Sequence, residues 1–169
     1  KCASAEEMVL YAPTGSGKTV MACKFIDDYL DENPNTVFLW LCPGAGSLQK
    51  QSQESFDELI KGIESGDVYD YINEVDPKGK VYFINWDKIN KSSNVVLREG
   101  EQKDFFARVR YCHSNKIKIF MLIDEEHKYA DTANAYVDLI GPIHTLRISA
   151  TPISRAHHTE VVLDDEVIA

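Results

Sequence analysis

The chain predicts an α/β fold with a mainly parallel central sheet covered by helices on both faces. Two observations carry that expectation. Short runs of β-branched and aromatic residues alternate with longer amphipathic stretches, and a strand returned to the next through a helix pairs with it in parallel. Polar, acidic or glycine-containing clusters stand at the carboxyl ends of several of those runs, where open sheets of this kind bind their ligands.

Taken in order, strands are expected near 8–12, 36–42, 80–85, 117–123 and 143–149. Each is a run rich in Val, Ile, Leu, Phe or Trp, the composition of a strand buried on both faces. Helices are expected over 17–31, 47–62, 101–113 and 127–139, from the spacing of apolar positions. Asn33-Pro34-Asn35 ends the first helix, and Asp76-Pro77-Lys78-Gly79 turns into the third strand. The polar stretch 87–100 is expected to be a surface loop. No repeat or low-complexity segment interrupts the order.

Between the first strand and the first helix runs Ala12-Pro13-Thr14-Gly15-Ser16-Gly17-Lys18-Thr19. A tight glycine-containing turn at a helix start aims backbone N–H groups at one point and adds the positive helix end, which suits the dense charge of a triphosphate. Thr14, Gly15, Ser16 and Gly17 then form the cradle. Lys18 reaches the β- and γ-phosphates, and the Thr19 hydroxyl ligates Mg²⁺. Ala12 stands where the usual pattern has Gly, a small residue that a strand end accepts. Downstream, the apolar run 117–123 ends in Asp124-Glu125-Glu126-His127. Asp124 at a strand's carboxyl end is placed to hold a Mg²⁺-bound water, and Glu125 to polarise an attacking water as general base. The third element is Ser149-Ala150-Thr151, after the run 143–148.

Gly-Ser-Gly-Lys-Thr, then Asp-Glu-x-His, then Ser-Ala-Thr, in that order and at strand ends, resemble motifs I, II and III of the DEAD/DEAH-like superfamily 2 helicases. The resemblance covers nearly the whole chain and implies a three-layer, RecA-like P-loop NTPase domain. It assigns His127, Ser149 and Thr151 to coupling the nucleotide site to nucleic acid, and it implies ATP and Mg²⁺ as cofactors. Three further stretches, Phe38 to Gln51, Ile84 to Ile89 and Leu146 to Pro152, are similar to the res (ATPase) subunit of type III restriction enzymes. That family implies an ATP-driven motor on double-stranded DNA, a methyltransferase (mod) subunit as partner and a site-specific endodeoxyribonuclease as parent enzyme. By the same resemblance, Pro43 and Gly44 offer backbone N–H groups to a DNA phosphate, with Lys50 able to join them, although Gln49, Lys50 and Gln51 also read as a solvated helix face. Residues 1–169 are expected to be one N-terminal domain of a longer protein. A second RecA-like domain would follow with an arginine finger, so the segment alone is expected to hydrolyse ATP slowly.

The composition, 44% hydrophobic and 27% charged over 169 residues, suits one globular domain with a full core. No apolar run approaches the roughly 18 residues that span a bilayer, and a cytoplasmic location is expected. Cys2, Cys23, Cys42 and Cys112 show no C-x-x-C spacing and read as reduced core residues. His157 and His158 read as a surface tail, Trp86 as a core or rim residue, and Arg147 as either paired inside or exposed. The formal charge of −9, from 27 acids against 18 bases, opposes self-sufficient nucleic-acid binding, a conflict that eases if DNA contacts are shared with a second domain. Three alternatives stay open: a DEAH-type RNA helicase, a P-loop kinase or other nucleotidase, and a nucleotide-gated binding module without turnover.

Overall fold

The computed structural model describes residues 6–13, 15–42, 47–85, 99–124, 130–150 and 159–162. These residues contain seven strands: β1 (Glu6–Tyr11), β2 (Thr36–Cys42), β3 (Ser65–Gly66), β4 (Val81–Asn85), β5 (Lys118–Asp124), β6 (His144–Ser149) and β7 (Thr159–Val162). Five helices accompany them among the described residues: α1 (Lys18–Glu32), α2 (Leu48–Leu59), α3 (Val68–Asn73), α4 (Glu99–Ser114) and α5 (Ala130–Ile140). The strands form one sheet in the order β3-β4-β2-β5-β6-β1-β7, and every pairing is parallel. All carboxyl ends therefore lie along a single edge.

Two apolar layers sandwich the sheet because successive strand residues point to opposite faces. In β2, where all seven residues are buried, Phe38, Trp40 and Cys42 join Ala22, Cys23, Ile26 and Leu30 of α1 and Phe56 of α2. Val37, Leu39 and Leu41 point the other way, to Val68 and Tyr71 of α3, Phe105 and Val109 of α4, and Tyr136 and Ile140 of α5. No helix among the described residues is long and apolar enough to cross a membrane.

All five expected strands and all four expected helices are present, with shifts at their ends. α2 stops at Leu59 rather than 62, since Ile60 is already extended and Gly62 follows with a φ of 120°. α4 opens at Glu99, two residues before the expected start and within the stretch read as loop; residues 87–98 of that stretch lie outside the described residues. Three elements are additional. β3 and β7 are short strands that extend the sheet on its two sides. α3 is set by a capping box: Asp67 accepts from the Tyr69 and Asp70 amides at 2.9 and 3.0 Å, while the Asp70 carboxylate accepts from the Asp67 amide at 2.8 Å. At the C-terminal ends of α4 and α5, a ring nitrogen of His113 lies 2.7 Å from the Ile140 carbonyl.

A polar cluster fastens the start of β4. Lys80 Nζ lies 2.9 Å from Glu64 and 2.8 Å from Glu74, and Tyr82 donates its hydroxyl to Glu74 at 3.3 Å. The hydrogen bond from Lys80 holds the Glu74 carboxyl below the usual carboxylate range, and the bonds to Glu74 and Glu64 raise the Lys80 ammonium above its ordinary value. The depressed Glu74 stabilises the fold above its unfolded pKa of about 4.3, and that contribution is lost as pH falls through the lower folded value. The raised Lys80 contributes below about pH 10.4 and is lost as pH rises through its folded value. Lys80→Met is therefore expected to cost about 1 kcal/mol near neutral pH. The difference from wild type should shrink below about pH 4, read by urea unfolding between acid and neutral pH. A difference that persists unchanged into acid would show that the pair contributes no linked stability.

Candidate functional site

The first strand hands the chain directly to the phosphate-loop sequence. Ala12 is fully buried, and its N–H donates to the Ser149 carbonyl at 3.2 Å, so the start of the loop is fastened to the end of β6. The Ser16 amide then closes a turn on the Pro13 carbonyl at 3.2 Å. Gly15 and Gly17 have φ of +82° and +80°. A Cβ on either would meet nothing within 4 Å, so backbone conformation and not space requires glycine there. Gly17 is the N-cap of α1 and supplies no capping side chain, and the first turn of α1 holds no acid. The partial positive charge of this helix start is therefore left for a ligand.

Three polar side chains, Ser16, Lys18 and Thr19, belong to this turn and the helix start that follows it. Lys18 is half-buried with its ammonium nitrogen out of contact with solvent. Ser16 Oγ is buried and finds no hydrogen-bond partner among the described residues. Thr19 is half-buried in the first helical turn. Two strands away, Asp124 closes β5, half-buried and in register with Ile148. Ser149 closes β6, fully buried and paired with Tyr11. Since β5, β6 and β1 are consecutive in the sheet, Asp124, Ser149 and the loop occupy adjacent strand ends. The span from Asp124 to the loop is two strand spacings, roughly 10 Å.

Asp124 is also felt by Cys42 at the end of β2. Burial first, and then the Asp124 carboxylate, push the Cys42 thiol far up, against a smaller opposing effect of the Ser52 side chain. Cys23 is pushed up to about 11, chiefly by burial, and Cys112 is raised for the same first reason. Cys23, Cys42 and Cys112 are buried free thiols, as expected of core cysteines; Cys2 lies outside the described residues.

Lys50 projects from α2 into solvent, 3.7 Å from Glu54, and Gln51 is exposed beside it. Gln49, read with them as solvated, is instead buried at 8% exposure: it falls on the inner side of α2, about two turns before the buried Phe56. Thr14, Pro43, Gly44, Glu125, His127 and Thr151 lie outside the described residues, as do Trp86, His157 and His158. Two polar residues were given no place in the site from sequence. Asn85 is buried at 4% exposure where β4 ends, level with Cys42; the signal for it was an amide closing an otherwise apolar run. Arg147, which the sequence left open, is 2% exposed. Its Nε donates to Glu7 of β1 and its Nη2 to Asn134 of α5 at 2.8 Å.

A parallel sheet with a Gly-Ser-Gly-Lys-Thr turn at one strand end and an acid two strands away is a P-loop NTPase of the RecA-like α/β class. The chain belongs to the family "Type III restriction enzyme, res subunit", whose profile matches residues 3–154. The superfamily 2 helicase resemblance is thus borne out, and the domain is an ATP-binding motor domain of helicase type. None of the curated proteins matches the chain. Among solved structures it is similar to the DUF1998 helicase MrfA bound to DNA and AMPPNP, at 14% identity and a TM-score of 0.59, over 95% of this chain and 25% of that one. That likeness is one of fold, and the chain spans about a quarter of the helicase's length. The genome packaging NTPase B204 from Sulfolobus turreted icosahedral virus 2, in complex with AMP, matches at 14% identity over 87% of this chain and 67% of that one, at a TM-score of only 0.42.

Proposed function

We propose that this domain binds Mg-ATP at the carboxyl edge of the sheet and serves as the nucleotide-hydrolysing half of a motor that acts on double-stranded DNA, as the res subunit of a type III restriction enzyme. The observation that carries this is the placement of Asp124, Ser149 and the Gly15–Thr19 turn on three adjacent strand ends. Backbone amides of the turn and the Lys18 ammonium hold the phosphates, and the glycines keep the turn open to them. The hydroxyl of Thr19 and the carboxylate of Asp124 are hard oxygen donors of the kind magnesium takes, and Ser16 Oγ, buried and without a hydrogen-bond partner among the described residues, adds a polar group within the same turn. Magnesium bound there supplies charge neutralisation at the β- and γ-phosphates. Glu125, the next residue after Asp124, accepts the proton of the attacking water.

His127, Ser149 and Thr151 carry the state of the nucleotide to the nucleic-acid face. Pro43, Gly44 and Lys50 contribute DNA contacts, few enough that the −9 charge requires a second RecA-like domain in the parent chain to supply most of the grip. That domain also supplies the cation that offsets transition-state charge, worth on the order of 10³–10⁵ in rate, so the 169-residue chain alone turns over slowly. A methyltransferase subunit and a cytoplasmic setting complete the proposal.

The test is ATP hydrolysis by the intact parent chain with no nucleic acid, duplex DNA, single-stranded DNA or RNA, beside Glu125→Gln. Duplex-stimulated turnover that falls by at least about 10²-fold in the variant supports the assignment. Stimulation by RNA alone moves the protein to the RNA helicases. Binding of ATP with no turnover under any condition makes it a nucleotide-gated module.

A further inference from the structure

A guanidinium in the middle of a parallel strand is costly to bury unless its donors are satisfied in good geometry, and an apolar side chain of similar volume would often be as stable there. Arg147 occupies such a place. Its strand neighbours Leu146 and Ile148 point into the apolar layer beneath α1, while Arg147 points to the opposite face. There it reaches Glu7 on β1 through Nε and Asn134 on α5, 2.8 Å away, through Nη2. The planar fork gives direction to the contact that an apolar filler could not.

The three elements it joins each lead into a different part of the nucleotide site. Five residues beyond Glu7, β1 reaches Ala12 and the phosphate loop. Two residues beyond Arg147, β6 ends in Ser149, whose carbonyl holds the Ala12 amide. Asn134 lies in the second turn of α5, the helix that follows the acidic segment opened by Asp124. We propose that Arg147 is a positioning residue that clamps α5 to β6 and β1. α5, the next described element after Asp124, is then held to the two strands that end in Ser149 and the phosphate loop. The catalytic half of this inference rests on the ATPase reading; the mechanical half does not.

Asn134→Ala is the discriminating variant, because it removes the acceptor that Arg147 Nη2 reaches on α5 while the Glu7–Arg147 pair keeps the buried charge compensated. In the full-length protein with duplex DNA, it is expected to lower kcat about 10-fold, leave the KM for ATP within about twofold, and leave the thermal midpoint almost unchanged. Amide hydrogen exchange in α5 should quicken by at least about 10-fold. Asn134→Asp, which restores an acceptor for the guanidinium, should return both kcat and exchange toward wild type. An Asn134→Ala protein with wild-type kcat and wild-type exchange would overturn the proposal. A loss of activity matched by loss of folded protein would reduce Arg147 to a structural pair and overturn it equally. Should the wild-type parent hydrolyse no ATP, the ATPase reading falls and the catalytic half with it, while exchange in Asn134→Ala still decides the clamp.

Discussion

Lys18→Ala is expected to weaken ATP binding by roughly 10²-fold, the loss of about 3 kcal/mol of charge-assisted hydrogen bonding to phosphate. The ammonium lies out of contact with solvent at the start of α1, where its attraction to an anion is little screened. The fold should survive. A cation at a helix N-terminus opposes the macrodipole, so removing it leaves the unfolding midpoint unchanged or slightly raised. Titration with a fluorescent ATP analogue, beside thermal unfolding, separates the two effects. A variant that binds nucleotide as tightly as wild type would move the site away from this loop.

Phe120→Ala is the substitution expected to damage the fold most. Phe120 is fully buried in the central strand β5, stacked on Phe38 with ring centroids 4.8 Å apart. Phe25, Tyr29 and His144 lie edge-on or tilted around it at 5.4, 5.1 and 5.4 Å. Emptying that position removes aromatic contacts from both neighbouring strands and from α1, for a cost of about 3–5 kcal/mol. For a domain of this size the thermal midpoint should fall by roughly 6–20 °C, checked by calorimetry. A fall of only a degree or two would mean that the aromatic cluster collapses to fill the gap. Because β5 carries Asp124 four residues on, the same variant should bind nucleotide less well even while folded.

What the sequence displayed, and what it hid, follows from how far each element depends on distant partners. A strand buried on both faces must be apolar throughout, so Thr36–Cys42 and Lys118–Asp124 were visible as continuous runs. The phosphate loop was visible because its chemistry is local: two glycines at positive φ and a helix start need no distant partner. β3 was not, since two residues, Ser65 and Gly66, carry no period; they pair because β4 offers them an edge. α3 had a local signal in Asp67 and Asp70, but its β-branched and aromatic residues masked a helix of six. β7 depends on β1, some 150 positions away in sequence. Arg147 is the sharpest case. Nothing nearby distinguishes an inward arginine from an outward one; Glu7 decides it, 140 positions away.

The bond from the Ala12 amide to the Ser149 carbonyl is made by main-chain atoms alone, so ordinary side-chain scanning passes over it. Alanine already stands at one end, and any residue at the other keeps its carbonyl. Among the genetically encoded amino acids only proline at position 12 deletes the donor, and a backbone ester at that position would delete it with the side chain intact. Position-by-position mutagenesis would thus report on the packing around Ala12 and on the Ser149 hydroxyl, while the join between the first and third motifs stayed whole. Its contribution is open to chemical synthesis, and nearly closed to genetic selection.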